Sequence, residues 1–188
     1  MRSRTTRKRL IDAAYRIISE ESLSQLSIDH VSKVAGLSRR TFFLHFASKD
    51  QLLAEVLENL RPAYAETYRQ WSEGLPAELG AVDRITELFR RIVERIGQPG
   101  WKGCAFVRIS AEFAEWQGHP AHGPVAEAQR DFELWLADEL RRARHASPAR
   151  AARQLAILIN GLIISQMVHR DAAYGEAALA ALPLILGQ

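Results

Sequence analysis

Nine residues, Ser38-Arg-Arg-Thr-Phe-Phe-Leu-His-Phe46, constrain this chain more than any other stretch. At about 100° per residue, the helical step, Phe42 and Phe46 fall on one face, a turn apart, and Arg40 and Leu44 fall opposite them. Thr41 and Phe43 flank the outer face, whereas Arg39 and His45 lie nearer the inner one. An aromatic anchor therefore backs a surface that mixes a cation, an apolar group and a hydroxyl. Water alone gives a helix little reason to expose Phe43 and Leu44. A DNA major groove does, because base edges there offer guanine acceptors and thymine methyls.

The flanking residues frame that segment. Ser27 precedes Ile28-Asp-His-Val-Ser-Lys-Val-Ala35 as an N-cap would, and Ile28, Val31 and Ala35 share an inner face. Gly36 follows where a left-handed residue ends helices, and Ser38 is placed to cap the next helix. Helix, short Gly-containing turn, helix is the helix-turn-helix pattern. Ser48-Lys-Asp-Gln51 then reads as a capping box opening a long helix. Before all this stand Arg2, Arg4, Arg7, Lys8 and Arg9, read as a basic arm of which residues 1–4 are disordered.

Charge is distributed to match. Residues 1–50 hold ten Lys and Arg against five Asp and Glu; the other 138 hold 15 against 17, leaving the whole chain at +3. Phosphate neutralisation supplies much of nucleic-acid affinity, so a basic head on a near-neutral body suits DNA, although a solvated charged face gives the same count.

These residues resemble the TetR family of bacterial transcriptional regulators. Val31-Ser-Lys-Val-Ala-Gly-Leu-Ser38, Thr41-Phe-Phe-Leu-His-Phe46 and Ser48-Lys-Asp-Gln-Leu52 carry the resemblance, which covers roughly residues 5–55. The chain departs from the family pattern at Ser32 (usually Ala), Ser22 (often Gly), Arg40 (often Gly) and Phe43 (usually Tyr). The resemblance implies an all-α fold: a three-helix DNA-binding head over residues 1–50, and a helical ligand-binding and dimerisation body over 51–188. It further implies a repressor that binds a palindromic operator as a homodimer and leaves it when a small effector binds.

On that reading the DNA contacts are Ser27, Ser38, Arg39, Arg40, Thr41, Phe43, Leu44, His45 and Lys49, with Arg40 reading a guanine and Leu44 meeting a thymine methyl. Phe42 and Phe46 are structural.

About nine helices are expected and no strand pattern competes. The first runs from about Thr5 to Ser22. The long helix from Ser48 is kinked or ended by Pro62, with Tyr64, Tyr68 and Trp71 continuing beyond it. Further helices are read over 81–96, 103–116, 125–143, 148–169 and from about 173, the last bent by Pro183. Eight aromatic residues of the body, Tyr68, Trp71, Phe89, Phe106, Phe113, Trp116, Phe132 and Trp135, are either plain core or the lining of an effector pocket suited to an apolar or planar molecule. The helix after Pro148 is apolar nearly all round, as a helix buried on all sides must be. The resemblance makes Ala152, Leu155, Ile159, Leu162, Ile163, Gln166 and Leu182 a dimer interface built as a four-helix bundle.

No catalytic set is visible, so an enzyme is not expected, and no cofactor or metal is. A group made of His119, His122 and Glu112 or Glu115 lacks rigid helical spacing. Cys104, the single cysteine, is either a buried inert thiol or, beside Lys102, a thiol of lowered pKa that senses oxidants. The apolar stretch from Leu155 to Val168 falls short of the ~18 residues of a membrane span, and no signal peptide is read. The expected location is the cytoplasm, without membrane contact. Two rival readings remain at this point: a helical ligand-binding scaffold without DNA affinity, and a small-molecule enzyme.

Overall fold

A computed structural model describes residues 2–76, 78–113, 115–116, 118–142 and 144–187, with Arg2, Ser3, Trp71, Ala81 and Ser110 described by backbone alone. Among these residues the chain is all-α: α1 (Arg2–Arg16), α2 (Ile28–Ala35), α3 (Arg39–Phe43), α4 (Lys49–Glu73), α5 (Ala81–Gly97), α6 (Ala105–Glu112), α7 (His122–Arg142), α8 (Pro148–His169) and α9 (Ala173–Leu186). Residues of the chain group into two compact units, 1–63 with 108–126, and 64–107 with 127–188. That division differs from the expected one at residue 50. It falls inside α4, and the stretch 108–126 groups with the head.

In the first unit, α1 packs on α2, and α2 on α3. Leu10, Ala14, Ile17, Val31, Phe42, Phe46, Leu52, Leu53 and Leu57 are buried there. The helix begins earlier than the sequence suggests, since residues 2–4 belong to α1 rather than to a disordered arm. Its far end widens into a π-turn, Ile17–Glu21, followed by a 3₁₀ turn, Leu23–Gln25. Ile17 and Ile18, at the start of the widened turn, are both buried.

In the second unit α8 and α9 pack together, and α5 packs on both. Ile85, Leu88, Phe89, Ile92, Leu136, Leu140, Leu155, Ile159, Leu162 and Leu182 make one apolar cluster. Gly175 sets how closely α9 approaches α5, because a Cβ there would lie 2.6 Å from Val93 Cγ1. α4 is continuous through Pro62 and α9 through Pro183, so neither proline ends its helix. α6 is shorter than expected, ending at Glu112. α7 starts at His122 and takes Gly123 and Pro124 into its first turn, where a missing N–H costs no helical bond. Its expected end at Ala143 lies outside the described residues. Pro148 opens α8, but the Ser147 side chain makes no capping hydrogen bond; its backbone N–H donates to His145 Nδ1 instead. At 22 residues α8 is long and apolar enough to cross a membrane by length and composition, contrary to the shorter span read from sequence, and seven of its residues are buried in the chain.

Candidate nucleic-acid interface

Local rules place the helix pair. Ser27 Oγ accepts the His30 N–H at 3.1 Å and fixes the start of α2. Gly36, at φ 62° and ψ 41°, turns the chain out of it, and the Leu37 N–H donates to Ser32 O at 2.9 Å. Ser38 Oγ then accepts the Thr41 N–H at 3.0 Å and starts α3. At the head of α4, Ser48 Oγ accepts the Gln51 N–H at 3.1 Å, and Gln51 Oε1 accepts from the Ala47 N–H at 2.7 Å. This is the reciprocal cap expected, with the return bond made one residue earlier.

α3 ends at Phe43, short of the helix read through Phe46, yet the two faces of residues 39–46 separate as the periodicity requires. Phe42 and Phe46 have essentially no exposed surface and pack with centroids 5.8 Å apart. Phe43 is 50% exposed and Leu44 74%, beside an exposed Arg40. Arg40, Lys33 and Lys49 make no ion pair among the described residues. Lys33, exposed in the last turn of α2, was not singled out in the sequence; its only signal there is a cation one turn before the Gly.

Other candidates are already engaged within the protein. Arg39 Nη1 donates to both carboxylate oxygens of Asp29 at 2.9 Å. Ser38 and Thr41 share a hydroxyl–hydroxyl bond of 2.8 Å. His45 is half-buried, and its carbonyl accepts from Arg7 Nη1 at 2.6 Å.

The basic arm is not an arm. Arg7 Nε and Nη2 donate to Glu55 Oε1 and Oε2 at 2.8 and 2.6 Å, and the guanidinium lies 4.3 Å from the Phe46 ring centroid. Its hydrogen bonds to Glu55 push its pKa further up. Arg9 Nη2 donates to Ala35 O at 2.6 Å at the end of α2, and Lys8 pairs with Asp12 at 2.6 Å. These cations hold helices, whereas Arg4 stays exposed; the Arg2 side chain lies outside the described residues.

The eight aromatic candidates do not form one group. Tyr68, Phe106, Phe132 and Trp135 lie in the second unit with Tyr64, which the sequence-based list omits. Tyr68 is 4.4 Å from Phe132 and 6.0 Å from Trp135, and Tyr64 is 4.8 Å from Phe106, centroid to centroid. Phe89 is fully buried. Phe113 and Trp116 belong to the first unit, where Phe113 stacks on His119 at 3.8 Å and 9°. The Trp71 side chain lies outside the described residues. Elsewhere in the second unit, a cleft of about 260 Å³ is lined by Ile96, Trp101, Lys102, Gln166, Met167 and Arg170 among others.

Tyr64 Oη lies 2.8 Å from Cys104 Sγ. Burial pushes the Cys104 thiol up rather than down, and does the same to the Tyr68 phenol. The lowered pKa considered for Cys104 beside Lys102 is thus replaced by a neutral thiol. His119 is buried, its Nδ1 accepts the Ala121 N–H at 3.1 Å, and its Nε2 points at Asp50 Oδ1 at 3.5 Å. Among the described residues no three His, Cys, Asp or Glu side chains gather as a metal group.

The residues expected at a dimer interface are buried within the chain itself: Ala152 and Leu155 at 0%, Leu182 at 1%, and Ile159, Leu162, Ile163 and Gln166 below a tenth. They pack α8 against α5 and α9. The large apolar side chains that α8 and α9 leave exposed are others: Ile157, Ile164, Val168, Tyr174 and Leu184. Ile157, Gly161, Ile164 and Val168 recur at helical spacing on one face of α8.

The family model for bacterial regulatory proteins of the tetR family matches residues 10–56. The chain is 25% identical over 179 residues to the transcriptional regulator AcrR of Shigella flexneri, spanning 86% of this chain and 76% of that one. It is 27% identical over 111 residues to the regulator EthR of Mycolicibacterium smegmatis, spanning 58% of this chain but about half, 51%, of that relative. A crystal structure of a TetR-family transcriptional regulator from Streptomyces coelicolor superimposes with a TM-score of 0.79 at 26% identity, over 97% of this chain and 88% of the other. Relatives of this kind are regulators and not enzymes. With the capped helix pair and the buried Phe42 and Phe46, these likenesses make residues 10–56 a DNA-binding domain of the tetR family of bacterial regulatory proteins, in a chain similar over most of its length to regulators of that family.

Proposed function

We propose that the protein is a dimeric transcriptional repressor of the cytoplasm that binds a palindromic operator and is released by a small apolar or aromatic effector. One observation carries the DNA-binding half of this reading: α3 and the turn after it bury Phe42 and Phe46 while offering Arg40, Phe43 and Leu44 to the outside. Arg40 is the base reader, bidentate to a guanine, and Leu44 meets a thymine methyl. Thr41, Ser38, Ser27, His45 and Lys49 are proposed to lie along phosphates, joined by Lys33. Arg39, paired with Asp29, is proposed to reach a base or a phosphate beside it.

The exposed stripe of Ile157, Gly161, Ile164 and Val168, with Leu184 of α9, is proposed to meet its own copy across a two-fold axis. Its small and apolar residues suit helix-on-helix packing. A two-fold dimer presents two recognition helices about one DNA turn, ~34 Å, apart, and hence reads an inverted repeat. The effector is proposed to enter the aromatic set around Tyr64, Tyr68, Phe106, Phe132 and Trp135, which can stack on a planar molecule. A coupling of about 1–3 kcal/mol between effector and operator gives five- to 150-fold control.

The experiment is an enrichment of genomic fragments on the purified protein, followed by an effector screen on the recovered site. Recovery of a shared inverted repeat supports the reading. Binding that ignores sequence and vanishes with salt refutes it.

A further inference from the structure

Arg7 stands where three parts of the head meet. It is on α1, its carboxylate partner Glu55 is on α4, and the carbonyl it holds is that of His45, just past α3. Each of its three nitrogens has a protein acceptor within 2.8 Å, and its plane covers the Phe46 ring. The fork that would grip a phosphate is spent on Glu55, and Glu55 cancels the charge that would attract one.

We infer that Arg7 is a positioning residue for DNA recognition: through Glu55 it fixes the exit of α3, and with it Arg40 and Leu44, relative to α4. This rests on the DNA-binding reading above. Phe46 packs against Phe42 and also lies under the guanidinium, which ties the α3–α4 corner to α1. Arg9 does the companion task at the end of α2, through the Ala35 carbonyl. Lysine would not substitute at Arg7, because a point charge cannot make a bidentate bond and a third bond at a fixed angle.

The test uses Glu55→Gln, Arg7→Gln and Arg7→Lys in the full chain. Affinity is measured for the selected operator and for an unrelated duplex, across a salt series, at a temperature where circular dichroism shows each variant folded. Positioning predicts that Glu55→Gln weakens operator binding roughly tenfold, the loss carried by one charge-assisted hydrogen bond. Binding to the unrelated duplex and the salt slope stay unchanged. Arg7→Lys does not restore the operator affinity lost in Arg7→Gln.

A phosphate contact predicts the opposite sign. Glu55→Gln would then strengthen binding to both duplexes, and Arg7→Gln would lower both and reduce the salt slope by about one. That result, or equal losses on both duplexes, overturns the inference. If Arg7→Gln does not fold, Glu55→Gln alone decides by the sign of its effect. A wild-type protein that prefers no sequence at all fails the DNA-binding reading itself, and this inference with it.

Discussion

Replacing Phe42 by Ala tests the architecture of the head at its most sensitive point. The ring has no exposed surface, meets Phe46 at 5.8 Å and meets the edge of Phe43 at 5.5 Å and 82°. An aromatic side chain buries about 150 Å² or more, which at roughly 25 cal/mol per Å² amounts to about 4 kcal/mol. Cavity formation leaves the expected cost at about 3–5 kcal/mol, roughly a fifth or more of the stability of an ordinary domain. The adjacent Phe43→Ala removes a half-exposed ring and should cost under about 1 kcal/mol. Urea denaturation followed by far-UV circular dichroism reads both, the midpoint moving for Phe42→Ala and barely for Phe43→Ala. Operator binding reverses the contrast for Phe43→Ala, which stays folded yet binds less tightly. Near-equal stability losses in the two variants would refute the assignment of faces on α3.

Other expectations follow from the same geometry. Arg40→Ala should cost about 1–3 kcal/mol on the operator and relax preference at one base position, read by binding to a panel of single-base variants; uniform weakening would make Arg40 a phosphate contact. Ile164→Lys, on the exposed stripe of α8, should yield a folded monomer in sedimentation at micromolar concentration, whereas Ile163→Lys, in the core, should unfold the chain; a dimeric Ile164→Lys protein would move the interface elsewhere. Alkaline pH should destabilise the body. Cys104 and Tyr68 have folded-state pKa values above their unfolded ones, so the folded chain holds the extra protons. Stability is then fully present below about pH 8.5 and falls as pH rises past the unfolded values, near 8.5 for Cys and 10 for Tyr. Thermal melts from pH 7 to 11 check the sign, and Cys104→Ser should remove the earlier part of the fall.

The helix-turn-helix was legible in the sequence because its information is local. Ser27, Gly36, Ser38 and Ser48 act on backbone groups within three or four residues, and the spacing of Phe42 and Phe46 fixes the buried face. What was not legible is pairing at long range. Nothing in the string Arg7-Lys-Arg9 says that its two arginines end on Glu55 and Ala35, 48 and 26 residues away. The reading of a phosphate-seeking arm was the cost. Periodicity likewise marks Leu155, Ile159 and Leu162 as buried without saying what buries them. The surface left to a partner becomes visible only once α5 and α9 have claimed their face of α8. The short α6 and early α7 escaped for a third reason: Pro124 in a first turn satisfies the same rules as Pro124 in a loop.

The roles proposed for Arg40 and for the exposed stripe of α8 both presuppose sequence-selective DNA binding by a two-fold dimer. The most direct test is to pass sheared genomic DNA over the purified protein at about 150 mM salt and sequence what is retained. The expected result is a shared inverted repeat with half-sites about one helical turn apart, its preference relaxed at one base position of each half-site in Arg40→Ala. Retained fragments with no common sequence, released in proportion to added salt, would contradict it and leave the head as a patch of positive charge.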